Sequence, residues 1–366
     1  MTIAISGTNG ITLDGQFNSA SSMGFKNRIL NGAMVIDQRN AGASVTPSAG
    51  TYTLDRYAFT VTAASKLTCQ QNAGSITPPV GFKNYLGITS SSAYSIGSGD
   101  LFQVYQAIEG LNIYDLAWGT ANATTVTLSF WVRSSLTGTF GGAIQNSAQN
   151  RSYPYSYTIL AANTWEQKSI TIAGDTTGTW LTTNGVGMYV GFGLGAGSTY
   201  SGTAGAWAGA NYNSATGATS VVGTNGATFY ITGVQLEKGS TATSFDYRPY
   251  GTELALCQRY FQNINKDYMP YNVPIFNGGS NTLWAFTFPV IMRAGPTLTY
   301  SGNTSIFYFN SAGGTQQSST LTSISGGYNS TLGGARIYHT LLGQSGLTGF
   351  IEIATGTGSF AFSSEL

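Results

Sequence analysis

Short runs of β-branched and aromatic residues, separated by turns, constrain the fold of this chain more than any other feature. Val, Ile, Thr, Tyr, Phe and Trp are favoured in strands, whereas Gly, Ser, Asn and Asp favour turns. The clearest runs are Tyr52–Thr62, Val126–Val132, Glu166–Ile172, Gly187–Phe192, Ala227–Leu236, Leu283–Phe288, Ser305–Phe309 and Gly349–Ile353. Strands at this spacing predict an all-β protein, a sandwich or jelly roll, rather than a helical or βαβ fold.

The run Val126–Val132 shows the two-residue period of a strand. Two sets of side chains alternate along it: Val126, Leu128, Phe130 and Val132 on one face, Thr127, Ser129 and Trp131 on the other. We therefore expect one face to lie in the core and the other to be exposed or to line a pocket.

Four segments are predicted along the chain. Residues 1–24 are polar and turn-rich, so strands such as Ile3–Ile5 and Ile11–Leu13 are expected only by pairing with another surface, as in an attachment arm. A jelly-roll β-sandwich is predicted over 25–250 and a smaller C-terminal β-sandwich over 264–366. Between them, an apolar stripe and a capping Thr252 predict a linking helix over Gly251–Asn263.

Charge is scarce. Only 8% of the 366 residues are charged, and the net charge is +1, so the chain has no electrostatic footprint for nucleic acid. No stretch approaches the ~20 apolar residues of a membrane span, and the first residues lack the pattern of a signal peptide. We expect a soluble protein that does not insert into membranes and has no exporting signal peptide of its own.

The few charges gather at the two ends of the predicted jelly roll. The groups are Lys26, Arg28, Asp37, Arg39, Asp55 and Arg56 at its start, and Glu237, Lys238, Asp246, Arg248, Glu253 and Arg259 at its end. Because domain termini often lie close together, these groups either meet as ion pairs or remain separately solvated.

Two stretches carry a resemblance to a known family. Asn27–Phe59 begins NRILNGAMVIDQR and later reads YTLDRY, and Ala227–Phe261 contains VQLEKG, FDYR and LCQRYF. Both resemble the ends of a domain found in bacteriophage tail-fibre and other minor virion proteins. More weakly, Phe288–Gly302, the terminal residues 350–366 and the N-terminal SGTNGITLDGQFNSA resemble other parts of such proteins.

The resemblance implies a jelly roll like that of carbohydrate-binding modules, carried on a virion appendage. By analogy with fibres it implies a homotrimer attached to other virion proteins through residues 1–24. The recurring family residues look structural rather than ligand-binding: Asn31 with Gly32 in a turn, Gln38 and Arg39 paired across strands with Asp55 and Arg56, and Glu237 closing the sandwich with Arg248.

Catalytic and cofactor chemistry finds little support. The carboxylates outside the family motifs are Asp100, Glu109, Asp115, Glu166, Asp175, Asp267 and Glu352, and none lies in a recognisable active-site motif, Glu109 being the best candidate for a glycan-cleaving enzyme. The single His339 and the distant Cys69 and Cys257 match no metal spacing. We predict two buried free thiols, with a disulfide as the alternative, and no cofactor.

The candidate ligand-binding residues are aromatic. Residues 193–225 form a long uncharged stretch in which Tyr200, Trp207 and Tyr212 lie among Gly, Ser, Thr and Asn. Such rings can stack on sugars while nearby amides and hydroxyls bind sugar hydroxyls, or Trp207 can fold back to plug the sandwich. Tyr153 and Tyr155 form a second cluster.

The sequence therefore predicts a non-enzymatic virion protein, assembled in the host cytoplasm, that presents a surface for a host glycan or receptor. Two alternatives remain open. One is a purely architectural head, neck or tail decoration, and the other is a polysaccharide depolymerase.

Overall fold

The chain is almost entirely β-structure, which confirms the expected fold class. The computed structural model describes residues 25–265, 281–301 and 359–366, together with strands at 4–6, 10–12, 275–276, 305–310, 316–320, 334–340 and 347–350. It divides into an N-terminal unit, residues 1–253 with Leu366, and a C-terminal unit, residues 254–365.

Two sheets build the sandwich of the N-terminal unit. The six-stranded sheet has the order β10-β9-β12-β7-β4-β3 and the five-stranded sheet the order β11-β8-β15-β6-β5. The strands are β3 Tyr52–Leu54, β4 Tyr57–Val61, β5 Leu67–Gln71, β6 Leu86–Ser90, β7 Leu101–Glu109, β8 Val126–Ser134, β9 Gly138–Asn146, β10 Ser152–Ile159, β11 Glu166–Ile172, β12 Val186–Ala196 and β15 Thr228–Lys238. Every pairing within these two sheets is antiparallel.

Aromatic side chains join the two sheets across the core. Phe130 of β8 contacts Phe192 of β12 and Tyr157 of β10, each with ring centroids 5.0 Å apart. The inward face predicted for Val126–Val132 is confirmed, since its four apolar residues are fully buried. Its other face is more covered than expected, because Thr127 and Ser129 are also buried and Thr127 donates to the Gly239 carbonyl.

Smaller elements complete the N-terminal unit. A parallel pair follows β12, formed by β13 Ser201–Gly202 and β14 Ser214–Ala215. Within residues 25–265 short 3-10 turns lie at Ala73–Ser75, Gly110–Asn112, Tyr114–Leu116 and Ser198–Tyr200. In the predicted arm, β1 Ala4–Ser6 pairs with β2 Gly10–Thr12. The two strands thus pair with each other, and the role of this segment as an attachment arm stays a prediction. The rest of 1–24 lies outside the described residues.

The helix is shorter than predicted. α1 runs over Tyr250–Gln258. Glu253 lies in its first turn, where the helix dipole stabilises a carboxylate. The sequence extended it to Asn263 because Tyr260 and Phe261 continue the apolar stripe. Phe261 instead begins a strand whose partner, Ser359–Ser363, is about 100 residues away in the chain.

In the C-terminal unit, the described strands form three three-stranded sheets, in the orders β16-β24-β19, β17-β18-β22 and β21-β20-β23. The strands are β16 Phe261–Asn265, β17 Ile275–Phe276, β18 Asn281–Thr287, β19 Thr297–Ser301, β20 Ser305–Asn310, β21 Gln316–Thr320, β22 Gly334–Thr340, β23 Leu347–Phe350 and β24 Ser359–Ser363. Phe288 packs edge-on against Phe362, with centroids 4.9 Å apart, and Met292 is fully buried.

Both cysteines, Cys69 and Cys257, are buried free thiols, as predicted. Among the helices of the described residues, none has the length and apolar character needed to cross a membrane.

Candidate functional site: the outer face of the six-stranded sheet

The outer face of the six-stranded sheet, which points away from the core, carries aromatic and amide side chains together. In β7 the fully buried Phe102 and Val104 alternate with Gln103 and Tyr105. Because successive side chains of a strand point to opposite faces, Gln103 and Tyr105 point outward.

Two tyrosines meet at the centre of this outer face. Tyr105 lies opposite Gly191 of β12, and Tyr189 lies two residues before that glycine on the same face. Their ring centroids are 5.7 Å apart at an interplanar angle of 77°. Burial raises the pKa of both phenols, so both hydroxyls stay protonated at neutral pH and can donate hydrogen bonds.

A third tyrosine lies at the edge of the sheet. Tyr52 of β3 pairs with Ala58, and Ala58 pairs with Tyr105, which places Tyr52 on the same outer face. The Arg39 guanidinium carbon lies 5.1 Å from the centroid of the Tyr52 ring, within the range of a cation–π contact.

Two glutamine amides lie beside the tyrosines. Gln103 Nε2 donates to Thr60 Oγ1 at 3.4 Å, and Gln145 Nε2 donates to Asn211 Oδ1 at 2.6 Å. A primary amide has two N–H donors and an oxygen acceptor. Both glutamines are largely covered, at 5% and 3% exposure, and each amide keeps donor and acceptor capacity beyond the contact that orients it.

Small residues form the floor between these groups. A Cβ added to Gly191 would lie 2.8 Å from Gln103 Oε1, so the position of that amide depends on a glycine here. The next residue across the sheet is Ala143, and the residue on the other side of Tyr105 is Ala58. The tyrosine rings therefore stand above a floor of small residues.

The segment after β12 covers one side of this outer face. Added Cβ atoms on Gly193 and Gly141 would lie 2.8 Å and 2.5 Å from Ser214 Oγ, so Ser214 lies directly over both glycines. Asn211, three residues earlier, bonds to Gln145. Residues 198–215 thus form a wall beside the tyrosine pair.

Two of the residues predicted to bind ligand, Tyr200 and Tyr212, lie half-buried in that wall. The backbone N–H of Asn213 donates to the Tyr200 carbonyl at 2.7 Å, and the Tyr212 ring packs against Gly202. Their role in ligand binding stays a prediction.

Trp207 lies half-buried among aromatic side chains. Its ring centroid is 5.3 Å from that of Trp118, 5.6 Å from Trp180 and 5.2 Å from Tyr153. Its Nε1 donates to the Ala173 carbonyl at 2.9 Å. These contacts agree with the alternative in which Trp207 folds back and packs against the sandwich.

The prediction that Tyr153 and Tyr155 bind ligand does not fit the structure. Tyr155 is 1% exposed and its hydroxyl donates to the Gly191 carbonyl, and Tyr153 is 9% exposed. The spacing of two in RSYPYSY places Tyr153, Tyr155 and Tyr157 on one face of β10, and that face packs into the core.

The family-motif residues near the chain start form a compact polar cluster. Asn31, at φ 56°, begins a turn, and its side chain bonds to backbone groups of Ile36 and Asp55. Asp55 accepts from both the backbone N–H and Nε2 of Gln38 at 2.7 Å, which is the predicted pairing. Arg56 is fully buried and donates to the Ala107 carbonyl.

The predicted pair of Glu237 with Arg248 is wrong. Arg248 instead pairs with Glu253, with Nη1 3.2 Å from Oε2. Glu237 accepts from Gln235 Nε2 at 2.9 Å and from Thr243 Oγ1 at 2.6 Å. Pro249 turns the chain into α1 and brings Glu253 to the arginine, an arrangement that the linear motif does not show.

The carboxylates considered for catalysis differ in their ion-pair and hydrogen-bond partners and in their burial. Asp115 pairs with Arg28, Glu166 with Lys168 and Asp175 with Arg151, while Asp100 accepts from Thr62 and Tyr94. Glu109, the preferred candidate, is 1% exposed. Asp267 and Glu352 lie outside the described residues, as does the His339 side chain. Within the described part of the chain no group of His, Cys, Asp and Glu could hold a metal ion.

The sequence analysis missed Tyr105, Tyr189, Gln103 and Gln145. The signal that could have found the first two is the alternation in LFQVYQ and GMYVGFG, where a tyrosine takes the polar position of an otherwise apolar strand. That pattern identifies two faces, but it does not say which strands lie side by side.

No family model matches this chain, and no curated protein matches its sequence. Among solved structures, the enzymatically active domain of tailspike protein 4 from bacteriophage CBA120 is similar over 58% of this chain, with 12% identity and a TM-score of 0.33. The match spans only 21% of the tailspike chain.

Two further similar structures are carbohydrate-binding modules. One, a CBM4, matches 57% of this chain and 98% of its own length, with 16% identity and a TM-score of 0.29. The other, the family 11 module from Clostridium thermocellum with a β-1,3-1,4-mixed-linked tetrasaccharide, matches 54% of this chain and 97% of its own length, with 10% identity and a TM-score of 0.28.

Proposed function

We propose that this chain binds a neutral glycan on the outer face of its six-stranded sheet. The observation that carries the proposal is the half-buried pair Tyr105 and Tyr189 standing beside the amides of Gln103 and Gln145. Aromatic rings stack on the C–H face of a sugar, and amides bind its hydroxyls as donors and acceptors. These four side chains are uncharged, and Arg39 lies over Tyr52 at the edge of the sheet, so the centre of the face suits a ligand without ionic groups.

The proposed site also fits the size of a sugar chain. Tyr52, Ala58, Tyr105, Gly191 and Ala143 lie on neighbouring strands in one row across the sheet. Neighbouring strands are about 4.8 Å apart, so this row of five strands is roughly 20 Å long. Ala58, Gly191 and Ala143 are buried, so a sugar chain lying along this row would contact it through the half-buried rings of Tyr52 and Tyr105.

A binding assay with single substitutions tests this site. Tyr105→Ala and Tyr189→Ala should each weaken glycan binding at least tenfold, because each removes one stacking surface. Tyr247→Ala is the matched control, since Tyr247 is 57% exposed and stacks with Phe82 and Phe245. Calorimetry with glycans first selected on an array of host-surface polysaccharides provides the affinities.

Three results would contradict the glycan proposal. Absence of binding to every surface polysaccharide would favour an architectural role. Equal losses in Tyr105→Ala and Tyr247→Ala would place the site elsewhere. New reducing ends after incubation with a polysaccharide would favour a depolymerase.

We further propose that the chain is a homotrimeric appendage of a phage-like virion, attached through residues 1–24. The support is the resemblance of Asn27–Phe59 and Ala227–Phe261 to the ends of a tail-fibre and minor-virion-protein domain. Light scattering of the purified chain should give three copies, and particles with residues 1–24 deleted from this chain should lack it. A stable monomer, or unchanged incorporation after the deletion, contradicts the proposal.

A further inference from the structure

We infer that the N-terminal unit contains a mechanically resistant seam, formed by residues 26–31 against residues 246–253, that resists tension applied along the chain. This goes beyond glycan binding and does not depend on it. Both segments belong to the N-terminal unit: the first lies at the start of its continuously described part, and the second ends at Glu253, where the unit's continuous span ends, with Leu366 as its one further residue.

The seam is made of hydrogen bonds to charged side chains. Asp246 Oδ2 accepts from the backbone N–H groups of Lys26 at 3.0 Å and Asn27 at 3.1 Å. Arg248 donates to the carbonyls of Asn27 and Ile29, and Glu253 accepts from the backbone N–H of Asn31. Bonds of this kind are about twice as strong as those between neutral groups.

The order of these contacts makes the two segments parallel. Asp246 bonds to residues 26 and 27, Arg248 to residues 27 and 29, and Glu253 to residue 31, so the two sets of residue numbers rise together. Tension pulls the first segment toward the chain start and the second toward the chain end. Parallel neighbours pulled in opposite directions slide past each other, and all the bonds between them are loaded at the same time.

The interior position of the seam adds to its resistance. The side chain of Arg248 is 2% exposed and that of Glu253 9%, so water does not readily replace a bond that begins to stretch. The first segment is also fastened to β15. Arg28 N–H donates to the Leu236 carbonyl at 2.9 Å, and Asn27 Nδ2 donates to the Val234 carbonyl at 3.0 Å.

Single-molecule force measurements on the full chain, held by handles at its two termini, test the seam. Unfolding of residues 25–253 is recognised by a length gain of about 80 nm, from ~3.6 Å per extended residue. Asp246→Ala should unfold this unit about tenfold faster or more at constant force, because forced unfolding follows the unfolding rate. Asp100→Ala, which removes a carboxylate that accepts from Gly97 N–H and Thr62, is the matched control and should change this rate less than twofold.

A second pulling axis separates a mechanical role from a general loss of stability. Handles attached through Val80→Cys and Leu160→Cys use positions that are 100% and 78% exposed, and the two native cysteines are buried. Along this axis the force enters the chain at residues 80 and 160, outside the two segments of the seam, so Asp246→Ala should accelerate unfolding much less than it does along the terminal axis. Equal acceleration along both axes, or none along the terminal axis, overturns the inference.

Discussion

Asp55 shows how one buried carboxyl group couples the fold to pH. It is 1% exposed in the polar cluster with Asn31 and Gln38. Burial raises its pKa to about 6, although Arg39 and the two Gln38 hydrogen bonds act in the opposite direction. An unfolded aspartate has a pKa near 3.9, so the folded chain holds this proton more tightly than the unfolded chain does.

The sign of the resulting pH dependence follows from this difference. The stabilising contribution of the protonated Asp55 is complete below pH ~4 and is lost as pH rises through about 6. A shift of about two units corresponds to at most about 3 kcal/mol. When pH rises from 4.5 to 7.5, the free energy of unfolding of the wild type should therefore fall by roughly 1–2 kcal/mol more than that of Asp55→Asn.

Urea unfolding at the two pH values measures this difference. The comparison between variant and wild type cancels the other carboxyl groups, which are present in both. An identical pH dependence in the two proteins would mean that Asp55 ionises in the folded chain as readily as in the unfolded one.

Among the elements, β15 depends on a single glycine. The strand is buried on both faces, but the side chains that join the main hydrophobic core are Phe229 and Ile231 before Gly233 and Val234 and Leu236 after it, so the inward face changes from odd to even residue numbers. A register shift between Thr232 and Gln235 marks the bulge that makes this change. Both halves of the strand therefore face the core.

Gly233→Ala should destabilise the N-terminal unit by about 2–3 kcal/mol, because its φ of 61° disfavours a side chain and the new Cβ would lie 2.7 Å from the Phe82 ring. Gly209→Ala is the control, since a Cβ there meets nothing within 4 Å; it should change the free energy of unfolding by less than about 0.5 kcal/mol. Urea denaturation of both variants checks the difference, and equal effects would argue against a specific role for the bulge.

The sequence predicted the positions of strands and of the helix better than it predicted which strands pair with each other. Glu166–Ile172 was located to the residue, because its last three residues are β-branched and clear turn residues bound the run. The helix was extended too far because the pairing of Phe261 with Ser363 is non-local. Local patterns report local preferences, and a strand partner about 100 residues away leaves no local trace.

At the scale of the whole molecule, the scarcity of charge predicts how binding responds to salt. The proposed glycan site uses phenol, amide and aromatic groups, and the chain carries a net charge of only +1. Glycan affinity should therefore change less than about twofold between 50 mM and 500 mM NaCl, because screening acts on charged partners. Calorimetry at the two salt concentrations tests this, and a steep fall in affinity would indicate an anionic ligand.

The candidate site was harder to predict from the sequence than the fold. The residues chosen from the sequence, such as Trp207 and Tyr155, are aromatic side chains that are conspicuous in their local context, and both pack against the sandwich. Tyr105 and Tyr189 are 84 residues apart and meet only because β7 lies beside β12. A binding face built from separate strands depends on the sheet order, which composition and periodicity do not contain.

Because residues 26–31 lie beside residues 246–253, the N-terminal unit can be combined with other proteins by insertion. A unit whose two chain ends lie beside each other can be inserted into a surface loop of an unrelated protein without forcing the loop ends apart. The hydrogen bonds of Asp246, Arg248 and Glu253 would be retained in the inserted unit, since all of them are formed within residues 26–253. The N-terminal unit is thus suited to being moved between proteins as an intact cassette.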